Sequence, residues 1–412
     1  MPNASIPLVL LACAAAAADE WPAFRGPAGD GRSDAKTAPL QWAEGAANVV
    51  WKTPVPGRGW SSPVVAGGRV WMTAAERDDR DLFAVCVDLA DGRTLHRVKV
   101  FALEGDPPKR HKNGSVAAPT PVAADGKVWV HFGTHGTACL DAADGSVLWR
   151  RTDLTLDHKE GPGSSPLPYR DLLILPCDGT DVQYLVALDK TTGKTVWKTA
   201  RSADFSGIPP DQRKAYGTPV IAEVDGRRLL VSCGAKAAYA YDPDTGRELW
   251  RVRYKGWSNV SQPVWGAGAV FLNTGFVRPE IWAVRPDGTG DVTDTHVGWR
   301  AGRGVPAQSS PILVDGVMYF CSDGGVASAL DAKTGEQIWQ QRLGGQFSAS
   351  PILAAGRLYF CGEDGRTTVL RPGRPPEILA VNKLDGVIKA SPAPADGALL
   401  IRTDTHLYRI RP

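Results

Sequence analysis

The sequence predicts an all-β chain, an eight-bladed β-propeller of four-stranded blades, on three observations. A Pro-led apolar strand start recurs at Ser62-Pro63, Thr120-Pro121, Ser165-Pro166, Thr218-Pro219, Gln262-Pro263, Ser310-Pro311, Ser350-Pro351 and Ser391-Pro392. Many units then run through a strand ending in Leu-Asp and a Thr-Gly or Asp-Gly turn to a strand closing on Trp149, Trp197, Trp250, Trp299 or Trp339. Finally, the last unit, Ser391 to Pro412, holds three strands at most, while Val49-Val50-Trp51-Lys52 reads as an unattached fourth strand with Trp51 in the closing position. Joining the two ends completes the last blade and removes the open sheet edge. The count is eight blades, with seven the alternative if a degenerate unit has been counted.

Each part of the unit has a physical reason, clearest in the stretch from Ser309 to Trp339. Gly145, Gly193, Gly246 and Gly335 suit tight turns that need positive φ, and the preceding Asp or Thr can bond local backbone amides. The closing Trp supplies a flat surface to wedge between sheets, with an indole N–H that needs an acceptor. The 45 Gly and 32 Pro, without long helical periodicity, favour many short strands joined by turns.

The boundaries follow. Residues 1–18 read as a secretory signal peptide, with an apolar run from Ile6 that ends at Ala16-Ala17-Ala18, so the protein is expected to be secreted or periplasmic. A rival reading takes Leu10-Leu11-Ala12-Cys13 as similar to a bacterial lipobox, with membrane attachment through a lipidated Cys13. Residues 19–47 read as an extended arm packed on the body and anchored by Trp21 and Phe24; a functional alternative has Arg25 lining a pocket. Residues 48–412 form the propeller.

The 47 basic and 44 acidic residues leave a net charge of +3, which offers no general field to hold nucleic acid. A monomer is expected, with a protein or small molecule as its ligand. Beyond Cys13, Cys177, Cys233, Cys321 and Cys361 share one strand of the repeat and Cys86 and Cys139 another. That placement suits small buried hydrophobes, with neighbouring pairs such as Cys321 and Cys361 left open.

The run Ala329-Leu330-Asp331 through Thr334-Gly335 to Trp339 resembles the tryptophan-docking repeat of the pyrroloquinoline quinone (PQQ)-like propellers. That superfamily includes the BamB-like assembly proteins and the quinoprotein alcohol dehydrogenases. The arm, with His111-Lys112-Asn113, also resembles a secreted BamB-like group of planctomycete-type bacteria. The resemblance implies either a binding or assembly scaffold or a PQQ-dependent oxidoreductase. No Cys-Cys pair of the kind typical of those dehydrogenases is present, which favours the scaffold.

In such a blade the fourth-to-first and second-to-third connections share one face. The added chain lies there, at Lys99 to Ala118, Asp153 to Ser164 and Arg201 to Gly217, so the loop face of blades one to four is the expected binding surface. Its candidate ligand-binding residues are His111, Lys112, Asn113, Asp178, Asp181, Arg201 and Arg303; bracing of the loops is the competing role. A metal site on His111, His135 and His158, with Asp178 or Asp157 as a carboxylate, is a minor alternative without tight ligand spacing. PQQ with Ca²⁺ would call on Arg300, Arg303 and Arg374, together with oxygen ligands and an aromatic floor. No cofactor is expected on the scaffold reading.

Overall fold

The computed structural model describes residues 20–112 and 114–412, so the signal peptide, Cys13 and Asn113 lie outside the described residues. Eight antiparallel sheets, each with strands in chain order, form the eight blades. Blades one to seven occupy residues 64–102, 122–151, 167–200, 220–253, 264–301, 312–342 and 352–383. The eighth joins Ala393–Ala395, Ala398–Arg402 and His406–Ile410 to Val49–Pro54, with Trp51 opposite Arg409. The first strand of the propeller and its last three are thus locked into one sheet, as the closure argument requires. One irregularity was not anticipated: the long third-to-fourth connection of blade five, residues 285–296, places Gly290–Asp291 beside Trp250 and Arg251 as a short parallel fifth strand on blade four.

The turn signature works as its chemistry demands. Asp189 Oδ1 accepts the amides of Thr191 and Thr192, and Asp331 Oδ1 those of Lys333 and Thr334. The closing Trp then reaches the next blade's turn. Trp51 Nε1 donates to Leu89 O, Trp149 to Lys190 O, Trp197 to Pro243 O, Trp250 to Pro286 O and Trp299 to Ala332 O, all within 3.2 Å. In blade one His96 takes the Trp place, its Nε2 lying 3.0 Å from Ala143 O.

Four of the docked rings lie on a turn glycine: Trp51 on Gly92, Trp149 on Gly193, Trp197 on Gly246 and Trp299 on Gly335. A Cβ on Gly246, where φ is +72°, would sit 2.5 Å from Trp197 Cε3. Gly246→Ala is therefore expected to cost about 2–3 kcal/mol from the left-handed backbone and the ring clash together. Gly126→Ala, where φ is +70° but open space surrounds the Cβ, isolates the backbone part in urea denaturation.

A second device binds blade to blade at the axis. The residue before each Pro accepts, through its side-chain oxygen, the backbone N–H of the same residue one blade earlier. Ser62 N donates to Thr120, Thr120 N to Ser165, Ser165 N to Thr218, Gln262 N to Ser310, Ser310 N to Ser350, Ser350 N to Ser391 and Ser391 N to Ser62, at 2.9–3.1 Å. Where Gln262 interrupts the series, its Nε2 donates instead to Pro219 O at 2.9 Å. The interior N–H groups of seven strand starts are satisfied in this ring. Ser350→Ala orphans the buried Ser310 amide and is expected to lower the urea midpoint by the equivalent of about 1–2 kcal/mol.

The arm does more than pack on the body. Trp21 exchanges backbone bonds with Val65 of blade one, Pro22 O accepts Ala123 N of blade two, and Ser33 N donates to Leu353 O of blade seven. Between these points the chain enters the axial channel and returns, leaving Trp21, Ala23 and Arg25 buried. Arg25, with positive φ, forks onto Ser310 O at 3.1 Å, Pro311 O at 2.7 Å and Asp30 O at 2.8 Å. Burial pulls its pKa down to about 10, so it stays charged at neutral pH. Beyond the channel, Trp42 stacks on Tyr359, with ring centroids 6.4 Å apart. Arg25 is therefore a structural clamp within the plug and does not line a pocket.

The six described cysteines are free and buried, which answers the question left over Cys321 and Cys361. Burial pushes each thiol up to about 12, as suits packing groups rather than reactive ones.

Candidate functional site

A cavity of about 520 Å³ opens at the centre of the loop face. Its base is the Ser/Thr ring, together with Phe24 from the plug. Its wall repeats as the base does: two residues before each ring position stand Trp60, Ala118, Gly163, Tyr216, Val260, Gln308, Ser348 and Lys389, and all eight line the funnel. Extended chain turns alternate residues to one side, so the position before the ring residue is skipped. This spacing was present in the sequence and would have identified the wall.

The wall has two characters. Blades one, four and five contribute Trp60, Tyr216, Trp257, Val260 and Phe276. Blades six to eight contribute Gln308, Asp323, Gln346, Ser348, Glu363 and Lys389. The small residues of blades two and three leave room that the insertions fill with His111 and Glu160.

The charged groups are engaged with one another. Lys389 Nζ lies 3.1 Å from Glu363 Oε2, and Asp323 Oδ1 accepts the Ala307 amide at 2.9 Å. Lys214, fully buried, donates to Asp211 Oδ1 at 2.5 Å and Asp211 O at 2.7 Å. Tyr216 Oη donates to His158 O at 2.8 Å; burial, with the Glu160 carboxylate next to it, raises its pKa. Lys159 pairs with Asp211 between the second and third insertions, His111 N donates to Glu160 O between the first and second, and Arg110 pairs with Asp79 within blade one, so the insertions are cross-braced. Ser348 Oγ is buried without a partner.

Of the sequence candidates, His111 lines the funnel, and Lys112 is exposed beside it with its carbonyl 3.5 Å from Arg58 Nη2. Asp178 and Arg201 are placed elsewhere. They form a buried bidentate pair at 3.0 and 2.6 Å, with Arg201 also on Ser232 Oγ at 2.9 Å. Burial alone would lower the Arg201 pKa, yet the Asp178 charge and the Tyr241 and Tyr239 hydroxyls hold it well above its usual value. Asp181 caps its own loop, accepting the amides of Asp157 and Val182 at 2.9 Å. Arg303 is exposed on the loop entering blade six, outside the funnel lining. Arg300 lies over the Trp282 ring at 3.9 Å, and Arg374 bonds Asp331 at 2.9 Å, so the three arginines do not converge.

The histidine alternative is also redirected. His158 Nε2 accepts the Thr134 amide at 3.0 Å, and His131 Nδ1 faces Thr137 Oγ1 at 2.8 Å. Among the described residues no three His, Cys, Asp or Glu side chains gather as a metal site. Burial, with His135 nearby, pushes His158 down to about 4; burial, with His158 and His135, pushes His131 to about 3.

The sign of the pH effect follows. Below pH 6.5 the unfolded chain takes up protons that native His158 refuses until about pH 4, so stability is intact above 6.5 and declines as pH falls. The His158 share reaches about 3 kcal/mol at pH 4. His158→Gln keeps an acceptor for Thr134 N–H and is expected to flatten the pH 4–6.5 segment of the urea-midpoint curve.

The repeat, the closed ring and the sealed funnel define a propeller of the PQQ-repeat class. The family model described as outer membrane protein assembly factor BamB matches residues 40–158, 84–223, 181–292 and 278–389, in overlapping frames that follow the repeat. The chain belongs to this family.

Among curated relatives, tetrathionate hydrolase of Acidithiobacillus ferrooxidans is 20% identical over 54% of this chain and 48% of its own length. BamB of Yersinia pestis is 25% identical over 38% of each chain. Quinoprotein ethanol dehydrogenase of Pseudomonas aeruginosa is 28% identical over 46% of this chain and 30% of its own. The chain thus spans less than half the length of these relatives. Two solved structures, each 13% identical, share the fold. Quinohemoprotein alcohol dehydrogenase of Comamonas testosteroni has a TM-score of 0.68 over 95% of this chain and 80% of its own, and BamB of Moraxella catarrhalis 0.60 over 88% and 99%.

Proposed function

We propose that the protein is an extracytoplasmic binding or assembly scaffold that works through its loop face. The observation that carries this reading is the braced rim: the three insertions are linked in series, the first to the second by the His111 N to Glu160 O bond and the second to the third by the Lys159–Asp211 ion pair, around a funnel whose far end is plugged by the chain's own arm. Rigid loops on a rigid ring favour recognition, because little ordering entropy remains to be lost on binding. The rim also presents Phe276 and Val277, which are 57% and 58% exposed. The family's description as an outer membrane assembly factor agrees with a protein partner and an extracytoplasmic setting. Among the described residues no helix is long and apolar enough to cross a membrane.

The pairing of the funnel lysines weighs against PQQ. Its carboxylates need cations, and the funnel offers Lys214 and Lys389, both paired, against the carboxylates of Glu160, Asp211, Asp323 and Glu363. Without a bridging Ca²⁺ the cofactor would meet more like charge than opposite charge.

A photo-crosslinking residue at Val277 on the loop face is expected to give a discrete protein adduct in cells, and one at Trp265 on the opposite face none. Equal labelling from both positions, or dye-linked alcohol oxidation by the protein with PQQ and Ca²⁺, would overturn the scaffold reading.

A further inference from the structure

We propose that the axial funnel is a binding site for a neutral saccharide. The inference goes beyond the scaffold reading, since it concerns the interior of the funnel rather than its rim. A sugar ring has an apolar C–H face and an edge of hydroxyl groups, and the funnel is divided the same way.

On one side stand Trp257, Val260 and Phe276, aromatic and aliphatic surfaces of the kind on which a C–H face stacks, while Trp60 faces them from across the axis beside Lys389. On the other stand the Gln308 and Gln346 amides, Ser348 Oγ and the Glu363 carboxylate. These groups combine donors and acceptors, as vicinal hydroxyls do.

Charge narrows the ligand class. Glu363 is balanced by Lys389, and Lys214 by Asp211, while the Asp323 carboxylate is held by the Ala307 and Gln308 amides and the Gln308 side chain. An anionic ligand would meet carboxylates whose lysines are already engaged, and a cationic one would have to compete with those lysines. A neutral polar ligand disturbs neither pair.

The orphaned Ser348 Oγ adds an independent pointer. It is a buried hydroxyl without a hydrogen-bond partner on the polar wall, and buried polar groups are ordinarily satisfied. A ligand hydroxyl would satisfy it once the part-exposed side chain turns its Oγ toward the funnel. A purely apolar guest would desolvate the Gln346 amide without replacing its hydrogen bonds, at a cost that offsets the stacking. The volume, about 520 Å³, suits a short oligosaccharide.

Calorimetric titration with cellotriose, maltotriose, mannotriose and chitotriose tests the proposal, with trigalacturonate and trilysine as charged probes. At least one neutral trisaccharide is expected to bind at millimolar concentration or below and more tightly than either charged probe. Phe276→Ala and Gln346→Ala, both at exposed positions where folding is retained, are each expected to weaken binding about tenfold. Trp265→Ala on the opposite face should leave it unchanged. The proposal is overturned if none of the four saccharides binds, if neither funnel substitution weakens binding, or if a charged probe binds best. Rim cross-linking is read separately, so either result can fail while the other holds.

Discussion

Arg201→Ala is expected to lower the free energy of unfolding by about 3–5 kcal/mol, because it leaves the Asp178 carboxylate buried with no counter-charge. Both partners are almost wholly shielded from water, with side chains 1% and 2% exposed. The pair ties the end of blade three's second strand to the end of its fourth, and Arg201 reaches on to Ser232 in blade four. Removing the guanidinium therefore unsatisfies two blades at once. The double replacement Arg201→Met with Asp178→Leu is expected to recover most of the loss, because it removes both desolvated charges together. Urea denaturation of the three variants checks this: a single-variant loss below about 1 kcal/mol would show that the pair is open to solvent.

Arg25→Ala is the second large effect, expected at about 3 kcal/mol. Three buried or part-buried carbonyls, those of Ser310, Pro311 and Asp30, lose their donor together. The consequence reaches the funnel, because the adjoining residue, Phe24, forms part of its base. Arg25→Lys keeps the charge, but one ammonium cannot span the carbonyls as the planar fork does, so rescue is expected to be partial. Thermal unfolding gives the stability, and proteolysis between residues 20 and 31 reports whether the plug has left the channel. A protected arm in Arg25→Ala would remove the clamp role.

The architecture was legible because its determinants repeat. Pro, Asp, Gly and Trp recur at fixed offsets, and each acts within its own blade or on the next one, so reading one unit reads most of them. Even the deviation at His96 is understandable afterwards: an imidazole can bond the neighbouring carbonyl as an indole does, but it lacks the ring that draws attention in the sequence. The Ser/Thr ring stood in the same eight dipeptides used to count blades. Its hydrogen bonds escaped notice because they join residues about forty positions apart.

The site was less legible, for a reason its residues make plain. Polarity and loop position marked Asp178 and Arg201 as candidates, but complementary charges on neighbouring strand ends can satisfy each other, and here they do. Polarity in a loop does not reveal whether the partner is a ligand or another part of the chain. His158 shows the same thing, with its lone pair given to the Thr134 amide. Conversely, Gln346, Ser348 and Glu363 lie in plain blades six to eight, where loop length gave no signal.

By itself the sequence determined the strand order, the blade count, the closure of the last blade by Trp51 and the wedging of the closing Trp between sheets, because those depend on short-range spacing. Only the tertiary structure decided that the arm plugs the axis, which polar groups neutralise one another, and which side chains from separate blades share the funnel wall. Those outcomes depend on distances between segments far apart in the chain, and they are set only when the ring closes.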